Sequence, residues 1–393
     1  MDKLNVLIVG AGIGGLTAAL CLARRGHAVQ ILEQSAEATT SGAGIQLSPN
    51  CTKVLHSLGL AEQLVAIACI PDAIEIRHWQ DANLIASSEL GSGITAKFGS
   101  PYYHIHRTDL AQLLLNEVKK YCEIHFNVAV DRVLDEGREV SAISGLGTYK
   151  ADLLIGADGI HSTVKNVCLS NEAPRFTGNI AWRATVPVSQ FSSVTPITQL
   201  WWGPGKHVVY YPISQGELIN CVCVVEKSGW QRESWTEKGD TDELQADFAG
   251  WHESITQLLA NVDPASCFKW ALFDRDPLSS WSVGRVTLLG DACHPTLPFL
   301  AQGAAMAIED AAVLAGCMAE RSDIPSSLMR YQSLRMARTQ RIQRVSRRNA
   351  HVFHMSGMAS AIRNVLVGYM LPDTMDWLYG YDPLQSTSQV ISQ

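Results

Sequence analysis

The chain has 393 residues and a formal net charge of −7, and 47% of its residues are hydrophobic. That is enough apolar material for a large core split between two lobes, while the mild acidity argues against a nucleic-acid partner and no apolar run approaches the roughly 20 residues that cross a bilayer. The ten cysteines are scattered without a C-x-x-C pair, which predicts reduced thiols in a cytoplasmic protein and no metal site.

The first strong signal is Asn5–Val9, a buried-strand pattern, followed at once by Gly10-Ala11-Gly12-Ile13-Gly14-Gly15. Leu16, Ala19, Leu20 and Ala23 then mark one helix face, Gly26 ends the helix, and Ala28–Leu32 reads as a second strand ending in Glu33. The glycines interrupt any continuous signal-peptide core. Strand, glycine loop, helix, strand and acid together make a dinucleotide-binding fingerprint. Gly10 permits the tight turn, Gly12 lets backbone N–H groups approach a pyrophosphate, and Gly15 lets helix and strand pack closely. Glu33 can accept ribose hydroxyl protons and repels a 2′-phosphate, so FAD or NAD is expected rather than NADP.

Gly42–Asn50 is the next loop, and Gly44 there suits backbone lying against a flat ligand. A helix is predicted over 51–58. Ile74–His78 and Leu84–Ser87 read as strands of a different sheet. Thr108 is the predicted N-cap of a helix with Leu110, Leu113, Leu114 and Val118 inward. Arg107, just before it, suits either a phosphate or a neighbouring carboxylate. His104 and His106 alternate like strand residues and are read as structural.

Ile124–Val133 and Val140–Tyr149 are expected to form a hairpin. Asp152–Ile155 is a buried strand that ends in Gly156-Ala157-Asp158-Gly159, a turn placed like the opening loop. From about Asn179 to Leu272 alternating patches predict antiparallel strands, with Cys221 and Cys223 as buried small hydrophobes on one face. Lys227–Glu243, with Trp230 and Trp235, reads as an exposed excursion. Val286–Leu289 is another buried strand, ending in Gly290-Asp291 and continuing through His294-Pro295 to a helix from Ala304. Arg335, Arg338, Arg341, Arg344 and Arg347 recur every third position; an acid-paired or solvated helix face and a polyanion site are the two readings. Asp376–Asp382 is an aromatic packing patch. The fold class is therefore α/β, with a Rossmann-like domain from 1–175 and 271–345, an antiparallel-sheet lobe from 176–270 joined by 72–100, and a helical segment from 346–393.

The Gly10 fingerprint ending in Glu33, Gly156–Gly159, and Gly290-Asp291 with His294-Pro295 agree in order with one family. The chain resembles the single-component FAD-dependent aromatic hydroxylases of the para-hydroxybenzoate hydroxylase fold. Leu289–Pro295, Ala301–Ala311, Tyr103–Leu110 and Trp377–Tyr381 are most similar to the salicylate, 3-hydroxybenzoate and 6-hydroxynicotinate hydroxylase branch. The resemblance implies FAD held by Gly10, Gly12, Gly14, Gly15, Glu33, Gly44, Arg107, Asp158, Asp291, Gln302 and Gly303. It implies NADH or NADPH as co-substrate without a second nucleotide domain. It implies a monooxygenase in which a flavin C4a-hydroperoxide oxygenates a phenolic or heteroaromatic ring, with or without decarboxylation. Lys165 stands where the family usually has an arginine, which keeps the charge and loses the fork. The ring must be deprotonated by a base or through a proton relay, and the resemblance places that task on His207, as the base or the relay entrance, with Tyr211 as its hydroxyl partner; by the local pattern alone His207 is an ordinary strand histidine. Gln46, Pro298, Phe299 and Leu300 are implied at the substrate wall. The apolar Phe299 and Leu300 disfavour unpaired polar substrate atoms and favour a benzoate, phenol or quinolone-like ring over 6-hydroxynicotinate. The implied partners are a small aromatic, dioxygen and NAD(P)H, to a monomer or homodimer. A halogenase or reductase of the same superfold and a silent flavin-binding protein are the alternatives; the adjacent Trp201-Trp202 lacks the W-x-W-x-I-P spacing of halogenases.

Overall fold

The computed structural model describes residues 3–37, 43–169, 172–191, 194–227, 229, 237–320 and 323–385. Gly42, Trp230 and Trp235 lie outside them. The architecture follows from two sheets with different sequence patterns. Strands buried on both faces (Asn5–Val9, Leu153–Gly156 and Val286–Leu288) are continuous apolar runs and lie at the centre of a six-stranded sheet. Its order is Ser282–Val283, Val286–Leu288, Leu153–Gly156, Asn5–Val9, Ala28–Leu32, Glu123–His125, parallel except at the Ser282–Val283 edge. Register brings Val9 level with Leu32 and Gly156, and Gly156 level with Leu288. The residues that leave these strands therefore emerge side by side at one sheet edge.

The alternating segments build a seven-stranded sheet in the order Phe268–Asp274, Arg175–Pro187, Leu218–Glu226, Lys206–Ile213, Ile197–Gly203, Ala73–His78, Leu84–Glu89. Alternation divides its side chains between two cores. Ile180, Trp182, Cys221 and Cys223 face the short helices Thr241–Asp247 and Glu253–Ala260. Ala181, Trp202, Val222 and Val224 face the other way, toward Phe299 and Phe353. Cys221 and Cys223 are buried on one face as expected, and all ten cysteines are free thiols.

Three local expectations change. Glu123–His125 joins the parallel sheet, and the predicted hairpin is a separate three-stranded ladder of Val130–Asp135, Val140–Ser144 and Gly147–Ala151. The helix predicted at Thr108 runs Arg107–Val118 and is capped by His106, whose Nδ1 accepts the Thr108 N–H; an imidazole acceptor two residues earlier does the work of the threonine hydroxyl. The helix Ile324–Phe353 runs without interruption across 345–346, so the segment expected to begin at 346 has no break there. His354 follows that helix, and Gly357–Tyr379 forms the last one, with Met358, Ile362, Val365, Leu366, Tyr369 and Met370 exposed along it. Among the described residues no helix is long and apolar enough to cross a membrane.

Candidate active site

Four strand ends converge at the parallel edge. Gly10 adopts φ +106°, and a Cβ there would stand 2.5 Å from the Ala157 carbonyl oxygen, so the first and second loops touch through a position only glycine fills. A Cβ on Gly15 would lie 2.0 Å from Gly10 O, and one on Gly14 would lie 2.7 Å from Leu289 Cδ2. Both are packing glycines. Gly12 is different: nothing lies within 4 Å of its would-be Cβ, and it heads the Ile13–Ala23 helix with no side-chain cap. This open helix N-terminus can receive a phosphate. Glu33 Oε2 accepts the Ala11 N–H at 2.7 Å and Oε1 accepts the Ser35 N–H at 2.9 Å, which ties the acid to the glycine loop and leaves lone pairs for a ribose.

Asp158 Oδ2 accepts the Val164 N–H at 3.1 Å, whereas Oδ1 is buried without a partner among the described residues. Burial raises the Asp158 pKa, against Ser162 and nearby backbone N–H groups. An orphaned oxygen facing a crevice is what a ligand hydroxyl would satisfy. Asp291 has a large accessible area yet lies between packed walls, which push its pKa up; His294, Arg107 and Arg275 pull it back. Arg107 is likewise pushed down by burial and drawn up by Asp291. Lys165 does not face this crevice: its Nζ donates to the Glu172 carbonyl at 2.6 Å. A fork does join the Asp158 and Asp291 loops, but it belongs to Arg275, which donates to Ile160 O and, at 3.2 Å, to Ala292 O. Nothing in the local sequence around Arg275 marks it, because its partners are backbone carbonyls 115 and 17 residues away.

Two expected cofactor positions are engaged within the protein. Gly44 N donates to Asn220 Oδ1 at 2.7 Å, and a Cβ on Gly44 would meet Asn220 at the same distance. The observed close approach is to the second sheet. Gln302 is buried with its amide spent on both sides: Asn50 Nδ2 donates to Oε1, and Nε2 donates to Ser48 Oγ, each at 3.0 Å. It braces the Ser48–Asn50 turn. Gly303 begins the Gly303–Glu320 helix, and only Thr296 Cγ2, at 3.8 Å, lies near its would-be Cβ, so a flat ring could approach that helix end.

Between the seven-stranded sheet and the last two helices lies a cavity of about 540 Å³. Gln46, Pro298, Phe299, Leu300 and His207 all line it. The Phe299 ring stands 5.1 Å from that of His207. Gln46 Oε1 accepts the Tyr102 hydroxyl at 2.6 Å, and its amide also bonds Tyr211. Tyr211 is buried against His104, ring centroids 4.4 Å apart, and burial raises its pKa. The predicted pairing with His207 is not present. Four residues along a strand span about 13 Å, too far for a direct bond. His207 Nδ1 instead meets His354 Nε2 at 2.9 Å, and His354 Nδ1 meets Glu226 Oε1 at 2.9 Å. Among the described residues His207 Nε2 has no hydrogen-bond partner. Burial, then His354, hold the His207 pKa well below the ordinary imidazole value. Sequence reasoning missed His354 because it lies 147 residues away, on a different element.

The FAD-binding domain family matches residues 3–346 of the chain. The chain belongs to that family. It is an FAD-dependent aromatic monooxygenase of the single-component branch. It is 38% identical over 391 residues to 3-amino-4-hydroxybenzoate 2-monooxygenase of Streptomyces platensis, covering 97% of each chain. It is 37% identical to 3-hydroxybenzoate 6-hydroxylase of Polaromonas naphthalenivorans, covering 96% of each. Among solved structures, a salicylate hydroxylase in complex with substrate superposes with TM-score 0.83 at 27% identity, covering 98% of each chain.

For a flavoprotein of this family the arginine row and the tail are bracing. Arg335 pairs with Glu309 and Asp310 at 2.6 and 2.7 Å, and Arg338 pairs with Glu309 at 2.7 Å. Arg347 reaches Asp274 and Asp276 at 2.6 and 2.7 Å. Arg338 covers Tyr381 and Arg341 covers Trp377, each 4.1 Å from the ring centroid. The acid-paired reading is the observed one for Arg335, Arg338 and Arg347. His104, bonded to Thr198 Oγ1 at 2.7 Å and driven by burial to a pKa of about 3, is structural. Cys293, His294 and Asp310 cluster closely enough for a metal, but both Asp310 oxygens are already engaged, Oδ2 with His294 and Oδ1 with Arg335.

Proposed function

We propose that the enzyme hydroxylates a hydroxybenzoate- or phenol-type ring held in the 540 Å³ cavity, with His207 as the base that takes the ring hydroxyl proton. The observation that carries this reading is a buried imidazole on the cavity wall, with one nitrogen bonded inside the protein and the other open to the cavity. The bound FAD supplies reduction by a nicotinamide and activation of dioxygen. The chain's own residues supply the rest. Gly12 and the first helix turn receive the pyrophosphate, Glu33 the adenosine ribose, and Asp291, flanked by Arg107, the ribityl hydroxyls. Asp158 Oδ1 accepts from the cofactor or from the incoming nicotinamide nucleotide. Glu33 and the family branch favour NADH. The chain divides labour by sheet: the parallel sheet carries FAD, and the seven-stranded sheet with the last two helices carries the ring.

Pro298, Phe299 and Leu300 form the apolar wall beside His207 and exclude water from the reacting face. Arg348 lines the cavity and has no ion pair among the described residues, so it is the cation for a ring carboxylate such as those named for the relatives. Burial keeps His207 neutral at pH 7, with a ring lone pair to offer, and makes its charged form costly to hold. With ten free thiols, a reducing cytoplasm suits the protein.

A panel of hydroxybenzoates, phenols and hydroxyquinolines, read as stimulated NADH oxidation with product mass, tests this. At least one ring should gain one oxygen, and His207→Gln should lower its coupled hydroxylation by about 10²-fold or more near pH 7 while FAD content stays unchanged. Full activity of His207→Gln removes the base assignment; a panel that yields no product removes the reading.

A further inference from the structure

His207 cannot keep the proton it accepts. Its ring is 2% exposed and faces Phe299 and Phe353, so an imidazolium there would be an uncompensated buried charge. The proton must leave through the other nitrogen, which is already hydrogen-bonded. His354 stands at 2.9 Å, and beyond it, at 2.9 Å, stands Glu226. The side chain of His354 is 2% exposed and that of Glu226 is 55% exposed. Two hydrogen bonds thus connect the cavity wall to bulk water.

Resting on the reading of His207 as base, we propose that His354 and Glu226 carry the substrate's hydroxyl proton to solvent and, by fixing both imidazole tautomers, aim the basic nitrogen of His207 at the ring. The carboxylate of Glu226 can only accept, so His354 bears its hydrogen on Nδ1. Its bare Nε2 then accepts from His207, which must bear hydrogen on Nδ1 and present bare Nε2 to the cavity. One exposed acid sets two buried rings.

The transfer balances. The ring hydroxyl gives its proton to His207 Nε2, His207 Nδ1 releases its proton to His354 Nε2, and His354 Nδ1 releases its proton to Glu226, which exchanges it with water. The substrate is left as phenolate, and no net charge remains on either imidazole. Passage in reverse reprotonates the product oxygen and restores both tautomers. The charged and titratable groups around His354 are Glu226 on the neighbouring strand, His207 opposite, His351 on its own helix and Arg363 on the last helix. Arg363 is held by the Val352 and Phe353 carbonyls and by the Trp202 ring. Glu226 is therefore the one anion on the path. Gly205 N donates to the His354 carbonyl at 3.1 Å and Glu226 N donates to Gly205 O at 3.0 Å, which keeps the two groups in register through the backbone.

Glu226→Gln separates the roles. The amide oxygen still accepts from His354 and preserves both tautomers, but it takes up no proton. His354→Gln breaks the path, and His207→Gln removes the base. Proton release into weakly buffered phenol red is followed by stopped flow, using FAD-loaded enzyme and the panel's best phenolic substrate. Wild type should release protons on binding. Glu226→Gln and His354→Gln should slow that release at least tenfold, with FAD content and substrate Kd within about twofold of wild type. The kcat of both should fall below pH 7 and recover as rising pH ionises the phenol in solution. Equal release rates in wild type and Glu226→Gln, or a loss of kcat that is the same at every pH, overturn the relay while leaving His207 as base. Full activity in His207→Gln instead overturns the reading on which the relay rests.

Discussion

Gly12 and Gly15 lie three positions apart in one motif and have opposite constraints. Gly12 has ordinary φ of −74° and open space around its would-be Cβ. Gly12→Ala should therefore leave the unfolding free energy of the FAD-free protein within about 0.5 kcal/mol of wild type, while FAD retained through gel filtration falls several-fold. Gly15→Ala puts a methyl 2.0 Å from Gly10 O. It should cost about 1–3 kcal/mol even without FAD, measured by urea unfolding. The sequence shows both as glycines of a fingerprint; only the structure separates a glycine with open space from a packing one. The same holds for Gln302, where the family motif draws the eye to the cofactor while both ends of the amide are spent on Asn50 and Ser48.

Helix packing beneath the crevice depends on buried charge. Asp310 joins His294 at 2.5 Å and Arg335 at 2.7 Å, and so pins the Gly303–Glu320 and Ile324–Phe353 helices to the Gly290 turn. Burial alone would raise its pKa, but His294 and Arg335 outweigh burial and bring it from 3.8 to about 2. A depressed carboxyl stabilises the fold above its unfolded pKa and loses that contribution as pH falls through the folded value. The contribution, about 2 kcal/mol, should disappear between pH 4 and 2, seen as a falling thermal midpoint. Asp310→Asn leaves Arg335 buried beside one acid fewer and should cost about 3–5 kcal/mol at pH 7. Asn220→Ala removes the acceptor of the Gly44 N–H and should cost about 1–3 kcal/mol, measured by chemical denaturation.

For the whole molecule, FAD held as proposed across loops from four strands should raise the unfolding free energy with concentration, by about 2.7 kcal/mol at 100 times its Kd. Removing it should restore the lower value. The parallel sheet was legible because its strands are uninterrupted apolar runs ending in glycine and acid, a local pattern. The alternating lobe was legible for the same reason. What stayed hidden was pairing at a distance: Arg275 between two loops, Asn220 on Gly44, and His354 behind His207. Each joins groups on different elements through one or two bonds, and no periodicity records that. The long helix Ile324–Phe353 has a consequence of its own. Its 30 residues span about 45 Å, with Arg335 and Arg338 paired to Glu309 and Asp310 in its first half and His354 just past its C-terminal end. A single residue inserted between Arg338 and Arg347 would turn everything beyond by about 100° and advance it about 1.5 Å. The helix would survive, but either the acid pairs or His354 would point the wrong way. Substitutions on its outer face should be accepted freely, whereas one-residue insertions and deletions should be rejected along its whole middle stretch. The helix keeps angular phase between its acid pairs and His354, two groups that never touch.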